Sequence, residues 1–235
     1  MENKSKIFVD IIDQSIAMTS MSEPAFDSLM EGGWRLLGKT IVRHNFAVCR
    51  SALCTTIPLR IRLRDFTFSK SQRRLLRRAE SLEIREVPIK INEEKKGLFL
   101  EHTNRFNERQ PDDVHLFIGP NAAVLPVAGK GYDVYDAGKL VASSFFHLGK
   151  HALCGTYCFF DPTYTRHSLG TLTMLKELEF ALENGFQYYY HGYCYDVPSQ
   201  FDYKCNFNGL ECRDWKTDHW NPLERIPPRS WKELL

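Results

Sequence analysis

Arg166, Ser168, Gly170 and Thr171 fall within six residues of one another, directly before apolar residues spaced as in a helix at Leu172, Leu175, Leu178, Ala181 and Leu182. A Gly-containing turn that opens into a helix presents free backbone N–H groups at the positive end of the helix dipole, which suits a phosphate. Arg166 adds charge at that place. Two histidines, His147 and His191, lie at the C-terminal ends of predicted central strands. A histidine there is either a general base with a suitable pKa or a hydrogen-bonded histidine of the core or rim.

A second chemical feature runs from Arg60 to Arg78, where eight lysines and arginines face a single acid, Asp65. Arg60, Arg62 and Arg64 alternate with Leu59, Ile61 and Leu63, the pattern of a half-buried strand with a cationic face. Lys70, Arg73, Arg74, Arg77 and Arg78 follow on a short helix. Most charge runs are solvated faces. One so poorly balanced locally points instead to a phosphate-rich partner, a nucleic acid or polyphosphate.

The elements that must position these residues can be outlined from pattern. Tyr157–Phe160 is an aromatic strand stopped by Asp161-Pro162, and Gln187–Tyr193 is a second one after the helix that Gly185 closes. Strands are also expected at Tyr132–Tyr135, Leu140–Leu148 and Ala152–Phe160, the first two joined through Asp136-Ala137-Gly138 as a hairpin. Ser69 is a plausible N-cap with Gln72 as capping-box partner. Further upstream, the pattern suggests a strand at Ile7–Ile12, a helix over Phe26–Leu37 interrupted at Gly32-Gly33, and a strand over Gly38–Val48. Residues 82–92 look extended, Glu93–Phe106 helical, and Gln110–Gly131 a linker or long loop. Tyr188, Tyr189 and Tyr190 alternate across a strand, so at least one is core. Trp215, Trp220 and Trp231 are expected to cover the core or an interface.

Length and composition exclude several classes. A chain of 235 residues, 43% hydrophobic and 26% charged, with a net charge of +2, can bury an ordinary core. No apolar run approaches a membrane span, and the polar opening MENKSK lacks a signal peptide's apolar segment, so a cytoplasmic location without membrane contact is expected. Seven cysteines in a chain of this size favour free thiols. Cys49/Cys54 and Cys154/Cys158 lack CxxC spacing, so no metal is expected.

Several motifs occur together and in order. Gly33-Trp34-Arg35, Cys54 with Pro58-Leu59-Arg60, Ser69-Lys70-Ser71-Gln72-Arg73-Arg74, Tyr157 with Phe160-Asp161-Pro162, Arg166 with Ser168-Leu169-Gly170-Thr171, Gly192-Tyr193, and Tyr203-Lys204 span roughly residues 26–205. In these motifs the chain resembles the arginyl-/leucyl-tRNA–protein transferases. The resemblance implies an α/β, GNAT-like acyltransferase fold with a smaller N-terminal α/β portion (1–95, carrying the basic strand and helix) and a catalytic portion (96–235). It also implies no cofactor, an aminoacyl-tRNA donor and a protein or peptide acceptor with a free amine, with arginine the first expectation for the transferred residue and leucine or another the alternative.

On that resemblance Arg60, Ser69, Ser71, Gln72, Arg73, Arg74 and Arg77 would hold the tRNA backbone. Arg166, Ser168, Gly170, Tyr203 and Lys204 would sit near its aminoacylated 3′ end, and Asp161 and Tyr193 near the chemistry, where strand position also puts His147 and His191. Three departures stand out: no cysteine precedes Cys49, His147 stands where the family has Asp, and His191 replaces the Leu before Gly-Tyr. Loss of that Asp bears on the aminoacyl group, because an acid is the natural partner of an arginine side chain. Two other readings are an acyl-CoA N-acyltransferase, whose usual donor loop RHSLGT does not match, and a non-catalytic tRNA-binding descendant.

Overall fold

The computed structural model describes residues 10–49, 52–106 and 110–223. In chain order the elements are β1 (Asp13–Ala17), α1 (Glu23–Glu31), β2 (Arg35–Leu37), β3 (Thr40–His44), β4 (Phe46–Cys49), β5 (Ala52–Arg62), α2 (Lys70–Arg78), β6 (Glu83–Pro88), α3 (Glu93–Thr103), β7 (Gly129–Asp136), β8 (Lys139–Leu148), β9 (Ala152–Phe160), α4 (Leu169–Glu183), β10 (Tyr188–Tyr195), β11 (Leu210–Arg213) and β12 (Trp220–Pro222).

Local sequence explains many of the boundaries. Ser22 caps α1 by accepting from the Ala25 N–H, and Asn92 caps α3 by accepting from that of Lys95. At α2 the Ser69 hydroxyl accepts from the Gln72 N–H while the Gln72 amide oxygen accepts from the Ser69 N–H, a complete capping box. Ala137 and Gly138, at φ 48° and 85°, form the two-residue turn that joins β7 to β8.

One sheet dominates, in the order β12-β11-β5-β10-β9-β8-β7-β6, with β4 paired to β5; β1, β3 and β2 form a separate three-stranded sheet. All pairs in the large sheet are antiparallel except β9 with β10, which α4 connects. This is the mixed α/β, GNAT-like arrangement that the resemblance implies. Residues on both sides of position 95 supply strands to this sheet, and position 95 itself lies inside α3.

Alternation along the strands sends side chains to two cores. Leu153, Phe146 and Tyr189 pack with α4 residues Met174, Leu175 and Leu178 on one face, where Leu75 and Leu76 of α2 also lie. On the opposite face Phe145 and Phe159 pack with Leu98 and Phe99 of α3, while Ala152, Cys154 and Tyr190 pack with Phe26 and Met30 of α1.

The parallel pairing is short. Only Tyr188↔Ala152, Tyr189↔Leu153 and Tyr190↔Cys154 match, and β10 then slips register against β5 at His191. From Gly155 and His191 onward the two strands diverge, opening a V in the sheet.

Several expectations need correction. The first described strand is Asp13–Ala17; Ile7–Val9 and Trp231 lie outside the described residues. The helix expected over Phe26–Leu37 ends at Glu31, where Gly32 caps it, and Gly33 at φ 81° turns the chain into β2. The strand expected over Gly38–Val48 is two strands broken at Asn45, whose side chain bonds Ile12 and Asp10. The 110–131 segment is a loop only to 128; its Val114, Ile118, Ala122 and Val127 are buried. Cys49 and Cys54 are joined by a disulfide across β4 and β5, against the expectation of free thiols, while Cys154, Cys158, Cys194 and Cys212 are free.

Candidate active site at the strand splay

A cleft of about 680 Å³ fills the V. Its walls come from the diverging ends of β9 (Gly155–Cys158, Phe160) and β10 (His191, Tyr193, Tyr195), the end of α3 (His102, Arg105, Phe106), the stripe Gly170–Thr173–Met174–Glu177 of α4, and Phe201, Tyr203 and Lys204. A small hollow of about 40 Å³ continues on the α1 side and shares Arg35, Gly155, Thr156, His191, Tyr193 and Lys204 with the cleft. Access from two sides with a narrow shared centre suits two substrates meeting at one point. Much of the wall is aromatic, including Phe117 stacked on Tyr157 with ring centroids 4.3 Å apart.

At the apex of the V lies Glu177. It is buried, and its Oε2 accepts a 2.6 Å hydrogen bond from the Tyr189 hydroxyl. Burial pushes its carboxyl up to about 7, opposed by the Tyr189 bond. Gly155 is what leaves room there: a Cβ at that position would come within 2.8 Å of Tyr189 Oη and 2.9 Å of Glu177 Oε2.

Arg35, Arg105 and Lys204 line the same cleft, and none of them forms an ion pair with this acid. Arg35 sits 5.3 Å from the Tyr193 ring centroid and makes no ion pair among the described residues. Arg105 lies against the Phe106 and Phe160 rings, each 4.9 Å away, with Nη2 3.1 Å from His102 Nε2. Lys204 is brought down to about 8 by burial and then by the charge of Arg35. Among the described residues the one other acid on the cleft wall is Asp112, exposed at the rim. The cleft is therefore cationic, with one half-ionised acid at its floor.

Of the residues singled out from sequence, His191, Tyr193, Tyr203, Lys204 and Gly170 line the cleft. His191 Nε2 is 3.0 Å from the Lys204 carbonyl oxygen, so it must carry the proton and donate. Its buried Nδ1 has no hydrogen-bond partner among the described residues, and burial holds the ring at about 3, which leaves it neutral and a poor base. The Tyr193 hydroxyl donates to the Gly33 carbonyl at 2.6 Å and contributes its ring to the wall.

His147 and Asp161 are elsewhere. His147 is buried between Thr156 Oγ1 (2.8 Å) and the Leu125 carbonyl (3.1 Å), and burial lowers it to about 4; it is a core histidine, not a base in the cleft. Asp161 shapes the turn after β9, accepting from Thr163 N (2.9 Å), Thr163 Oγ1 (2.6 Å) and Lys139 Nζ (2.7 Å). Burial works against its ionisation, but these bonds outweigh it and hold the carboxyl below its usual range.

Arg60 also departs from expectation. It is buried, ion-paired to Glu211 at 2.6 Å and Glu31 at 2.8 Å, and flanked by the Tyr188 and Trp220 rings at 4.1 and 4.4 Å. Its charge is met inside the protein. Ser69 and Gln72 serve the α2 cap, Gln72 also donating to the Asn206 carbonyl, and Ser71 Oγ lies 3.0 Å from Ser69 Oγ. Arg73 bonds the Phe68 carbonyl from an exposed position. Arg74 and Arg77 are exposed and make no ion pair among the described residues. Arg166 and Ser168 are exposed ahead of α4, Ser168 with φ 44°. Arg78 Nη1 donates to the Arg166 carbonyl, so the basic helix and the α4 turn form one surface, next in sequence to the cleft-lining Gly170.

Glu177, Tyr189, Arg35 and Arg105 carry site chemistry that the sequence reading did not assign. A signal for Glu177 existed: it shares a helix stripe with the small or polar residues Gly170 and Thr173 at i, i+3 and i+7, beside the apolar stripe of Leu172, Leu175 and Leu178.

The sequence profile described as "Arginine-tRNA-protein transferase, C terminus" matches residues 92–214, just over half of the chain, including α3, α4 and both strands of the V. The chain belongs to this family. By family it is an aminoacyltransferase. It is 28% identical over 192 residues to an aspartate/glutamate leucyltransferase of Helicobacter hepaticus, covering 78% of this chain and 76% of that one. A protein of the same name from Dinoroseobacter shibae is 29% identical over 217 residues, covering 86% and 73%. Among solved structures, L-PGS from Bacillus licheniformis aligns at a TM-score of 0.47 and 11% identity, over 80% of this chain and 55% of that chain. The chain thus spans about half the length of that structure.

Proposed function

We propose that this family member moves an uncharged aminoacyl group from a charged tRNA to the free α-amine of a protein or peptide whose first residue is acidic. The observation that carries the reading is the cationic cleft through the splayed strands, bordered by the surface of α2 and the α4 turn. The exposed arginines of α2 suit the phosphates of a tRNA, and the N-terminus of α4 suits its 3′ end. Aromatic walls suit terminal bases, which stack without sequence preference.

Charge decides between candidates for the transferred residue. Arg35, Arg105 and Lys204 repel an arginyl side chain, and the single acid at the floor is half protonated near neutral pH. The same cations favour an aspartyl or glutamyl acceptor. The relatives' names, aspartate/glutamate leucyltransferase, agree with both choices. These considerations turn the first expectation away from arginine and toward leucine or another uncharged residue. A charged-tRNA donor is in keeping with a cytoplasmic reaction.

The test is direct. The protein is incubated with total charged tRNA and peptides beginning with Asp, Glu, Asn or Lys, and the mass added is read. Addition of one uncharged residue to the Asp and Glu peptides is expected. Absence of transfer by a folded, tRNA-binding protein would overturn the reading.

A further inference from the structure

We propose that the Glu177 carboxylate, presented by Tyr189 through the gap at Gly155, is the proton shuttle of aminoacyl transfer. This rests on the transferase reading above. Glu177 takes one proton from the attacking α-amine nitrogen as its C–N bond to the ester carbonyl forms. It returns that proton to the ribose oxygen as the C–O bond breaks. The products are an amide and a tRNA hydroxyl, and the carboxylate is regenerated.

Four independent observations converge on this residue. Glu177 stands at the apex of the V, on the cleft wall, where the cleft and the α1-side hollow share Gly155. The Tyr189 hydroxyl fixes Oε2 by a 2.6 Å bond. Gly155 lets the β9 backbone pack directly against both groups, since any Cβ would collide with them. His191, on the same wall, commits its Nε2–H to the Lys204 carbonyl and does not compete with Glu177 for the amine proton.

The other candidates for proton transfer are spent or mismatched. His147 and Asp161 do not line the cleft, and His191 is too weak a base. Around Glu177 stand Tyr189 on β10, Cys154 and Cys158 on β9, Tyr203, Tyr132 on β7 and Ser144 on β8. Burial raises the thiols of Cys154 and Cys158 and the phenol of Tyr203 to about 12, and it also raises Tyr132 and Tyr189. All of these stay neutral between pH 5 and 9, so the carboxyl titrates alone within its immediate shell. Farther along the wall stand Arg35 and Arg105; His102 is held at about 4, and Lys204 titrates at about 8. A base near 7 matches its task at neutral pH.

The experiment compares wild type, Glu177→Gln and Tyr189→Phe by single-turnover transfer across pH 5.5–9, with tRNA affinity and thermal stability measured alongside. Glu177→Gln is expected to lower the transfer rate about 100-fold or more with unchanged tRNA affinity. It is also expected to remove the ionisation near 7, leaving the limb to the acceptor amine and to Lys204 near 8. The Tyr189 bond favours the charged carboxylate, so Tyr189→Phe is expected to move that midpoint to higher pH while keeping the plateau within about tenfold. A folded Glu177→Gln protein that transfers at near the wild-type rate, or more slowly but with the limb near 7 intact, would overturn the proposal. Wild-type protein inactive with every charged tRNA is a separate result; it would remove the transferase reading, and this inference with it.

Discussion

Two groups of charged residues flank β10, and they are built in opposite ways. On the β5 side Arg60, Arg62, Glu31 and Glu211 meet at 2.6–2.8 Å, with Tyr190 completing the network. In the V, Arg35, Arg105, Lys204 and Glu177 line one cavity, and none of them forms an ion pair among the described residues. Paired charges hold β5, β11 and α1 together. Unpaired charges are left for something that arrives from outside.

The largest effect expected from this contrast is on stability. Arg60→Ala leaves Glu211 buried beside a single remaining partner, Arg62, and should cost about 3–5 kcal/mol in denaturant unfolding. A loss below about 1 kcal/mol would erase the distinction.

Glu177→Gln should act in the other direction. The folded carboxyl titrates at about 7, above the ordinary 4.5, so the native protein holds a proton that the unfolded chain releases between those values. Stability therefore falls as pH rises from about 4.5 to 7, by ~3 kcal/mol at ~1.4 kcal/mol per pKa unit. The neutral glutamine avoids this, so the variant should unfold at a higher temperature than wild type at pH 8 and show no such advantage at pH 4.5.

Arg35→Ala should leave stability within about 1 kcal/mol while raising KM for an Asp-initiated peptide roughly tenfold, with little change for an Asn-initiated one. Steady-state kinetics on the two peptides would show it. The smallest effect belongs to the exposed helix. Arg74→Ala should reduce the salt slope of tRNA binding by about one, with thermal stability unchanged.

What the sequence revealed depended on how local the information was. β7, β8, β9 and α4 could be read because pattern, turn residues and caps lie within a few positions of the elements they define. β1 is exposed along its whole length, so it carries no alternation to read. The Arg60 alternation was visible, but its acidic partners lie 151 and 29 residues away. Position along a strand suggested that His147 and His191 are equivalent, yet Thr156 and the 125 carbonyl occupy one while the strand splay exposes the other to the cleft. Glu177 looked like one charge in a helix because the gap at Gly155 and the Tyr189 hydroxyl that give it meaning exist only once the strands pair and part.

The most direct measurement is the ratio of kcat/KM for leucyl-tRNA to that for arginyl-tRNA, with one Asp-initiated peptide as acceptor. A cationic cleft whose charges await an acidic acceptor should favour leucine by at least about tenfold, and should lose most of the rate when Asp is replaced by Asn. Arginine transferred as fast as leucine, or an acceptor preference indifferent to charge, would contradict the account.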